Sequence, residues 1–229
     1  MSTPAFLFDL DGTLVDSVYQ HVLAWRDALE GAGIELSVWR IHRRIGMSGG
    51  LFLDALLRET GRTMTADETA RVLRIHKEAF ARQVVQVRPL PGARELLAAL
   101  TTAGVPWAIA TSGRLESARP MLAMLGVPDK VPVITRDQVA HAKPDPDLFL
   151  AAAERLDVAI DDAVVVGDSV WDLLAARRAR ALAVGLLSGG YGQEELERAG
   201  AYRVYQDPAD LLRHVDEVGV RRGSSGDAG

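Results

Sequence analysis

Asp9 and Asp11 stand one residue apart at the end of an apolar run, Ala5-Phe6-Leu7-Phe8, and directly before Gly12. Two later apolar runs also end in polar groups: residues 105–110 lead into Thr111-Ser112-Gly113, and Val164-Val165-Val166-Gly167 leads into Asp168, with Asp172 four residues on. Between them Lys143 stands before Pro144, a residue that disfavours helix at Lys143 and imposes an extended approach. Each group alone has an ordinary explanation. Asp before Gly is common turn chemistry. Loop Thr and Ser residues bond their own backbone, single lysines are mostly solvated, and an Asp at a helix start is an N-cap or a favourable charge. Taken together they describe other chemistry. Carboxylates can attack as nucleophiles or hold a hard cation through oxygen. A hydroxyl beside backbone N–H groups can bind an anionic oxygen. Asp168 joined to Asp9 and Asp11 makes a cation site, and Asp172 can share a helix face with Asp168 and act as an outer ligand through water.

Groups so far apart in sequence meet only if their elements bring them together. Ala5 to Phe8 shows no polar alternation, which predicts a strand buried on both faces of a parallel sheet, and in such sheets ligands bind beyond the carboxyl ends of the strands. Helices predicted over 93–103, 115–125, 145–156, 170–180 and 193–199 alternate with strands over 105–110, 131–134, 163–166, 182–187 and 202–205. A last helix is capped by Asp207 with Pro208 at its first position. This alternation predicts an α/β fold, a doubly wound parallel sheet with helices on both faces. Residues 17–85 differ in character. Ser17 caps a helix carrying Val18, Val22, Trp25 and Leu29; Ser37 caps a second with Val38, Ile41 and Ile45 on one face; a third runs through Phe52, Leu56 and Leu57 after the flexible break Gly46-Met47-Ser48-Gly49-Gly50; and Thr65 to Glu68 reads as a capping box opening a fourth. The expected organisation is an α/β core over 1–16 and 86–220 interrupted by a four-helix insert over 17–85, with a disordered tail at 221–229.

Composition narrows the function. The chain has 229 residues, 48% of them hydrophobic, enough for a substantial core. A net charge of −5 with acids and bases interspersed gives no basic tract for nucleic acid or anionic lipid, so an anionic substrate must be captured by local groups. There are no cysteines, which excludes disulfides, zinc–thiolate sites and thiol catalysis. No signal segment and no apolar run of about 18 residues is present, so a cytoplasmic protein is expected.

The string Asp9-Leu10-Asp11-Gly12-Thr13-Leu14-Val15-Asp16-Ser17 resembles the first motif of the haloacid dehalogenase superfamily in its phosphatase branch. Thr111-Ser112-Gly113, Lys143-Pro144 and Gly167-Asp168 follow in the order of that superfamily's remaining motifs, and the helical insert matches the smaller cap of one subgroup. The resemblance implies a Rossmann-like core and hydrolysis of a small phosphorylated metabolite. Asp9 would be the nucleophile that forms an aspartyl-phosphate, and Asp11 the acid and then the base. The Asp9 and Asp168 carboxylates and the Asp11 carbonyl would hold Mg²⁺. Lys143 and the cation would offset the repulsion between Asp9 and an anionic phosphate, about 4 kcal/mol for unit charges 4 Å apart at an effective dielectric of 20. Thr111, Ser112 and Gly113 would orient the phosphoryl group.

The insert is expected to select the substrate. His21 resembles a histidine that assists the acid/base aspartate in related sugar phosphomutases, and Gly46-Met47-Ser48-Gly49 resembles their substrate loop, so His21, Gly46 and Ser48 are candidate substrate contacts. Those mutases carry Arg where this chain has Gly49, which removes a fork for a second phosphate. The run Arg40, His42, Arg43 and Arg44 reads as a solvated face or as a contact for an acidic substrate. A phosphatase for a phosphoglycolate- or sugar-phosphate-like metabolite is the leading expectation, with a β-phosphoglucomutase-like mutase and a phospho-accepting signalling module as alternatives. A monomer or weak homodimer is expected, with no nucleic-acid or membrane partner.

Overall fold

The computed structural model describes residues 4–219; the expected tail at 221–229 lies outside them. The chain enters with β1 (Ala5–Phe8), turns into β2 (Val15–Asp16), and then makes four helices, α1 (Val18–Glu30), α2 (Val38–His42), α3 (Gly49–Thr60) and α4 (Ala66–Gln83). It re-enters through β3 (Arg88–Pro89) and alternates thereafter: α5 (Ala93–Thr102), β4 (Trp107–Ala110), α6 (Leu115–Leu125), β5 (Val133–Ile134), α7 (Asp147–Arg155), β6 (Ala163–Gly167), α8 (Val170–Ala179), β7 (Leu182–Leu186), α9 (Gln193–Ala199), β8 (Arg203–Tyr205) and α10 (Pro208–Arg213).

Six strands form one parallel sheet in the order β5-β4-β1-β6-β7-β8. β1 is central because it is apolar throughout: all four of its residues are buried. Its side chains alternate between two cores. Phe6 and Phe8 pack with Leu96 of α5, Met121 of α6 and Leu211 of α10, whereas Leu7 packs with Phe149 of α7, Leu173 of α8 and Leu196 of α9. The strand order reverses beside β1, so the carboxyl ends of β4, β1 and β6 border the crevice where open α/β sheets bind ligands. Among the described residues no helix is long and apolar enough to cross a membrane.

The four-helix insert has a core of its own, in which Val22, Trp25, Ile41, Phe52, Leu56 and Val72 meet. Two short crossings join it to the sheet. β2 and β3 pair antiparallel, Val15 opposite Pro89 and Asp16 opposite Arg88, which ties the chain leaving the core to the chain returning. Expected boundaries and caps change: β4, β5 and α7 begin two residues later than expected, and Ser37 makes no cap bond to α2. α2 stops at His42 rather than reaching Ile45, which makes a backbone bridge with Met47 instead. α3 already starts at Gly49, inside the expected break. Ser17 precedes α1 without capping it, because its hydroxyl is committed to Asp11.

Candidate active site

Three strand ends supply the site. β1 delivers Asp9, whose N–H donates to the Val166 carbonyl of β6 at 2.9 Å, so the neighbouring strand fixes its backbone. β4 delivers Thr111, its N–H bonded to Ile134 at 2.9 Å. β6 delivers Asp168. Lys143 arrives from the loop before α7, through a cis peptide bond to Pro144, and is completely buried. Its ammonium lies 2.5 Å from Asp9 Oδ1 and 2.8 Å from Asp172 Oδ1. Asp172, in the first turn of α8, accepts at its other oxygen from the Ser169 N–H (3.1 Å) and hydroxyl (2.6 Å). Asp172, expected to reach a cation through water, thus also holds Lys143 and the start of α8, and it stays within the carboxylate cluster formed with Asp9 and Asp168.

Glycines allow these groups to crowd. At Gly12, with φ +81°, a Cβ would fall 2.4 Å from Asp168 Oδ2, and at Gly189 it would fall 1.9 Å from the same atom. At Gly167 it would meet Asp172 Cβ at 2.3 Å. Gly12 must adopt a left-handed conformation and leave room for a carboxylate, and only glycine does both without strain.

The electrostatics follow from this crowding. Burial, with Asp172 and Asp11 nearby and only Lys143 opposing, pushes the Asp9 carboxyl up to about 7. Burial and the same kind of like-charge repulsion raise Asp168 well above the usual carboxylate range, against a 2.7 Å hydrogen bond from Thr13 Oγ1. Burial alone would lower the Lys143 pKa, but Asp172 and Asp9 raise it above its ordinary value and keep the ammonium charged. Asp11 behaves differently. Burial works to raise it, yet His21 Nε2 at 3.1 Å and Ser17 Oγ at 2.6 Å hold its carboxyl below the usual range.

The donor set fits a hard divalent cation. Ligand oxygens of Asp9, Asp168 and Asp172 lie within 4.8 Å of one another, and the set is all oxygen, the kind that Mg²⁺ takes and softer metals do not favour. A positive charge there would relieve the repulsion that burial has built up between Asp9 and Asp168.

Above the carboxylates opens a cavity of about 960 Å³ between the sheet edge and the insert. Asp9, Asp11, Thr111, Ser112 and Gly113 line it from the core; His21, Gly46 and Ser48 line it from the insert. Ser112 Oγ is buried and without a hydrogen-bond partner in the protein, as expected of a group aimed at a ligand. Thr111 Oγ1 accepts from the Gly113 N–H at 3.0 Å, which leaves its own proton free to donate. Gly49, where the related mutases carry Arg, packs toward Leu73 and Trp25. The basic run is divided: Arg40 and Arg44 pair with Glu59 within the insert, Arg43 pairs with Glu195 of α9, and only Arg44 of the run reaches the cavity wall.

Five residues contribute to the site without a site role in the sequence reading. Thr13 sits within the first motif, but its bond to Asp168 spans 155 positions. Ser17 reads as a helix cap. His76, whose Nε2 lies 3.5 Å from His21 Nδ1, carries no motif. Ser188 and Gly189 follow the β7 strand, and the Ser-Gly-Gly after an apolar run was a signal available for them.

Comparison with known proteins agrees with this geometry. A family model for the haloacid dehalogenase-like hydrolases matches residues 3–180. The chain is 35% identical to hexitol phosphatase A of Escherichia coli (strain K12) over 76% of this chain and 79% of that protein, and 33% identical to phosphoglycolate phosphatase of Rhodospirillum rubrum over 90% and 88%. A crystal structure of a hydrolase from Pseudomonas syringae superposes with a TM-score of 0.93 at 53% identity, covering 95% of this chain and all of that one. The chain therefore belongs to the haloacid dehalogenase-like hydrolases. Within that family it is a phosphatase, which removes the signalling-module alternative.

Proposed function

We propose that the protein is a Mg²⁺-dependent phosphatase that hydrolyses a small phosphorylated metabolite, phosphoglycolate- or sugar-phosphate-like, through an aspartyl-phosphate on Asp9. The observation that carries this reading is the meeting of Asp9, Asp168 and Lys143 beside one cavity, with Thr111 and Ser112 on its wall. The Asp9 and Asp168 carboxylates and the Asp11 carbonyl would hold the cation. When bound, Mg²⁺ supplies charge neutralisation and polarises the phosphoryl oxygens.

In this reading the Lys143 ammonium pairs with Asp9 and lies beside the incoming phosphate, so that attack is not opposed by bare charge repulsion. Thr111 and Ser112 donate to the phosphoryl oxygens and hold phosphorus in line with Asp9 Oδ2. Asp9 attacks phosphorus, the bond to the leaving oxygen breaks, and Asp11 gives that oxygen a proton. Asp11 is held ionised in the free protein, and an arriving phosphate anion raises its pKa, so proton uptake accompanies binding. Asp11 then takes a proton from the water that attacks the phosphoryl group, which frees Asp9 and inorganic phosphate. Residues 17–85 act as the cap that closes over the core of residues 1–16 and 86–220, and one chain supplies every residue named, so a monomer or weak homodimer suffices. The mutase alternative lacks its second-phosphate fork at Gly49.

The test is phosphate release from p-nitrophenyl phosphate and from a panel of phosphorylated metabolites. Release is expected only with Mg²⁺ present and at least about 10³-fold slower in Asp9→Asn, the scale of losing a nucleophile's covalent route. Equal turnover in a chelator, or isomerisation of a hexose phosphate with little free phosphate, would count against it.

A further inference from the structure

One turn of the core touches both the carboxylate cluster and the insert. β7 runs into a single helical turn, Leu187–Gly189. On its inner side Ser188 Oγ donates to the Gly12 carbonyl at 2.6 Å, and Gly189 packs so closely on Asp168 that no side chain fits between them. The Gly189 carbonyl accepts a 2.8 Å hydrogen bond from Nε2 of His42, at the end of α2. A carbonyl only accepts, so Nε2 carries the proton. The His42 ring is itself held: it stacks on Tyr19 of α1 with centroids 5.5 Å apart and planes 11° apart, and leans on Tyr191 at 5.7 Å. Beyond it the Tyr191 hydroxyl donates to the Arg43 carbonyl at 3.0 Å, and the Arg43 guanidinium lies 4.3 Å from the Tyr191 ring centroid. Gly190, with φ +85°, leaves room for the imidazole, where a Cβ would come within 3.0 Å of His42 Nε2.

We propose that His42 is a positioning residue for the cation site: seating of the insert through His42 presses the Ser188–Gly189 turn onto Asp168 and fixes that carboxylate for a divalent cation. The inference rests on the reading above in taking Asp168 as a cation ligand. When the insert lifts, the Gly189 carbonyl loses its donor and the wall behind Asp168 loosens, so cation affinity falls. By linkage the effect is reciprocal, and a bound cation favours the seated insert. The Arg43–Glu195 pair also joins insert to core, but it ends on α9 and reaches no carboxylate of the cluster.

Mn²⁺ binding to the full chain without substrate, followed by the electron paramagnetic resonance signal of free Mn²⁺, tests this without turnover. His42→Phe keeps a flat ring on Tyr19 and removes the donor; it is expected to weaken Mn²⁺ binding about fivefold to tenfold, the scale of one net hydrogen bond. His42→Gln places an amide N–H near the position of Nε2 and is expected to restore affinity to within about twofold. Ser188→Ala releases the same turn from Gly12 and is expected to weaken binding in the same direction. Thermal melting in metal-free buffer reports whether each variant folds, and a merely structural role would move the melting temperature while leaving Mn²⁺ affinity unchanged. A folded His42→Phe protein with wild-type affinity overturns this inference and leaves the phosphatase reading standing. If that variant does not fold, unchanged affinity in Ser188→Ala overturns it. No Mn²⁺ binding by the wild type overturns both.

Discussion

The carboxylate cluster at the base of the cavity and the outer rim of its insert side are built on opposite terms. In the cluster Asp9, Thr111, Lys143, Asp168 and Asp172 are each 3% exposed or less; Lys143 pairs with Asp9 and Asp172, and Asp168 accepts from Thr13. At the rim Asp54, Arg74 and Lys77 are exposed, and Arg74 and Lys77 pair with Glu78 and Glu116 at 2.8 and 2.7 Å. Exposed pairs of that kind contribute about 0–1 kcal/mol and rearrange easily. A buried cluster must be assembled before substrate arrives, because every unpaired charge within it is costly. A solvated rim is free to differ. In the proposed reading the bond-breaking groups belong to the buried cluster and the selecting groups to the solvated rim, where side chains can be exchanged without disturbing the chemistry.

The contrast yields tests of graded size. The largest effect after loss of the nucleophile is expected from Gly12→Ala. Its methyl group would occupy the space of Asp168 Oδ2 in a backbone conformation that alanine resists, so kcat/KM for p-nitrophenyl phosphate should fall on the order of 10²-fold, as for a catalytic group displaced by about 1 Å. Activity within a factor of a few of wild type would mean that the cluster yields more than its packing implies.

An intermediate effect is expected between the two regions. The His76 imidazole is driven well below its usual 6.5 by burial and by His21 beside it. The unfolded chain therefore binds a proton that the folded chain refuses. Stability from this group is fully present above pH 6.5 and is lost as pH falls toward the folded-state value. Urea unfolding of His76→Gln should show a shallower loss of stability between about pH 6.5 and 5 than wild type, by up to one proton in the slope. Identical slopes would place His76 in a solvated setting like that of Arg74 and Lys77.

The smallest effect is expected from Lys77→Ala, which breaks an exposed pair between insert and core. Urea unfolding should move by no more than about 0.5 kcal/mol. A loss several times larger would show that the rim is held as firmly as the cluster.

What the sequence revealed divides along the same line. The continuous apolar runs of β1, β4 and β6 and the polar groups that end them were legible, because a buried parallel strand leaves a pattern that few other structures imitate. α6 and α9 fall on the expected residues, 115–125 and 193–199. The two-residue strands β2 and β3 were not legible, since so short a pairing has no periodicity to detect. Ser17 misled because helix capping is a local preference, and a tertiary bond to Asp11 overrode it. Gly189 was overlooked because its contribution is the absence of a side chain, which is meaningful only once Asp168 is seen against it. Lys143 is legible through the resemblance of Lys143-Pro144 to a motif of the superfamily, but its ion pair with Asp172 is visible only in three dimensions.

The central claim is that Asp9 receives the phosphoryl group while the neighbouring carboxylates do not. Mass spectrometry of the Asp11→Asn protein, quenched with acid within one turnover of p-nitrophenyl phosphate in the presence of Mg²⁺, tests it most directly, because nitrophenolate leaves without needing a proton, so that losing the acid/base group slows hydrolysis of the intermediate more than its formation. A phosphoryl adduct is expected on the peptide containing Asp9, absent from the Asp9→Asn, Asp11→Asn double variant. An adduct on the peptide containing Asp168 or Asp172, or one that persists in the double variant, would contradict it.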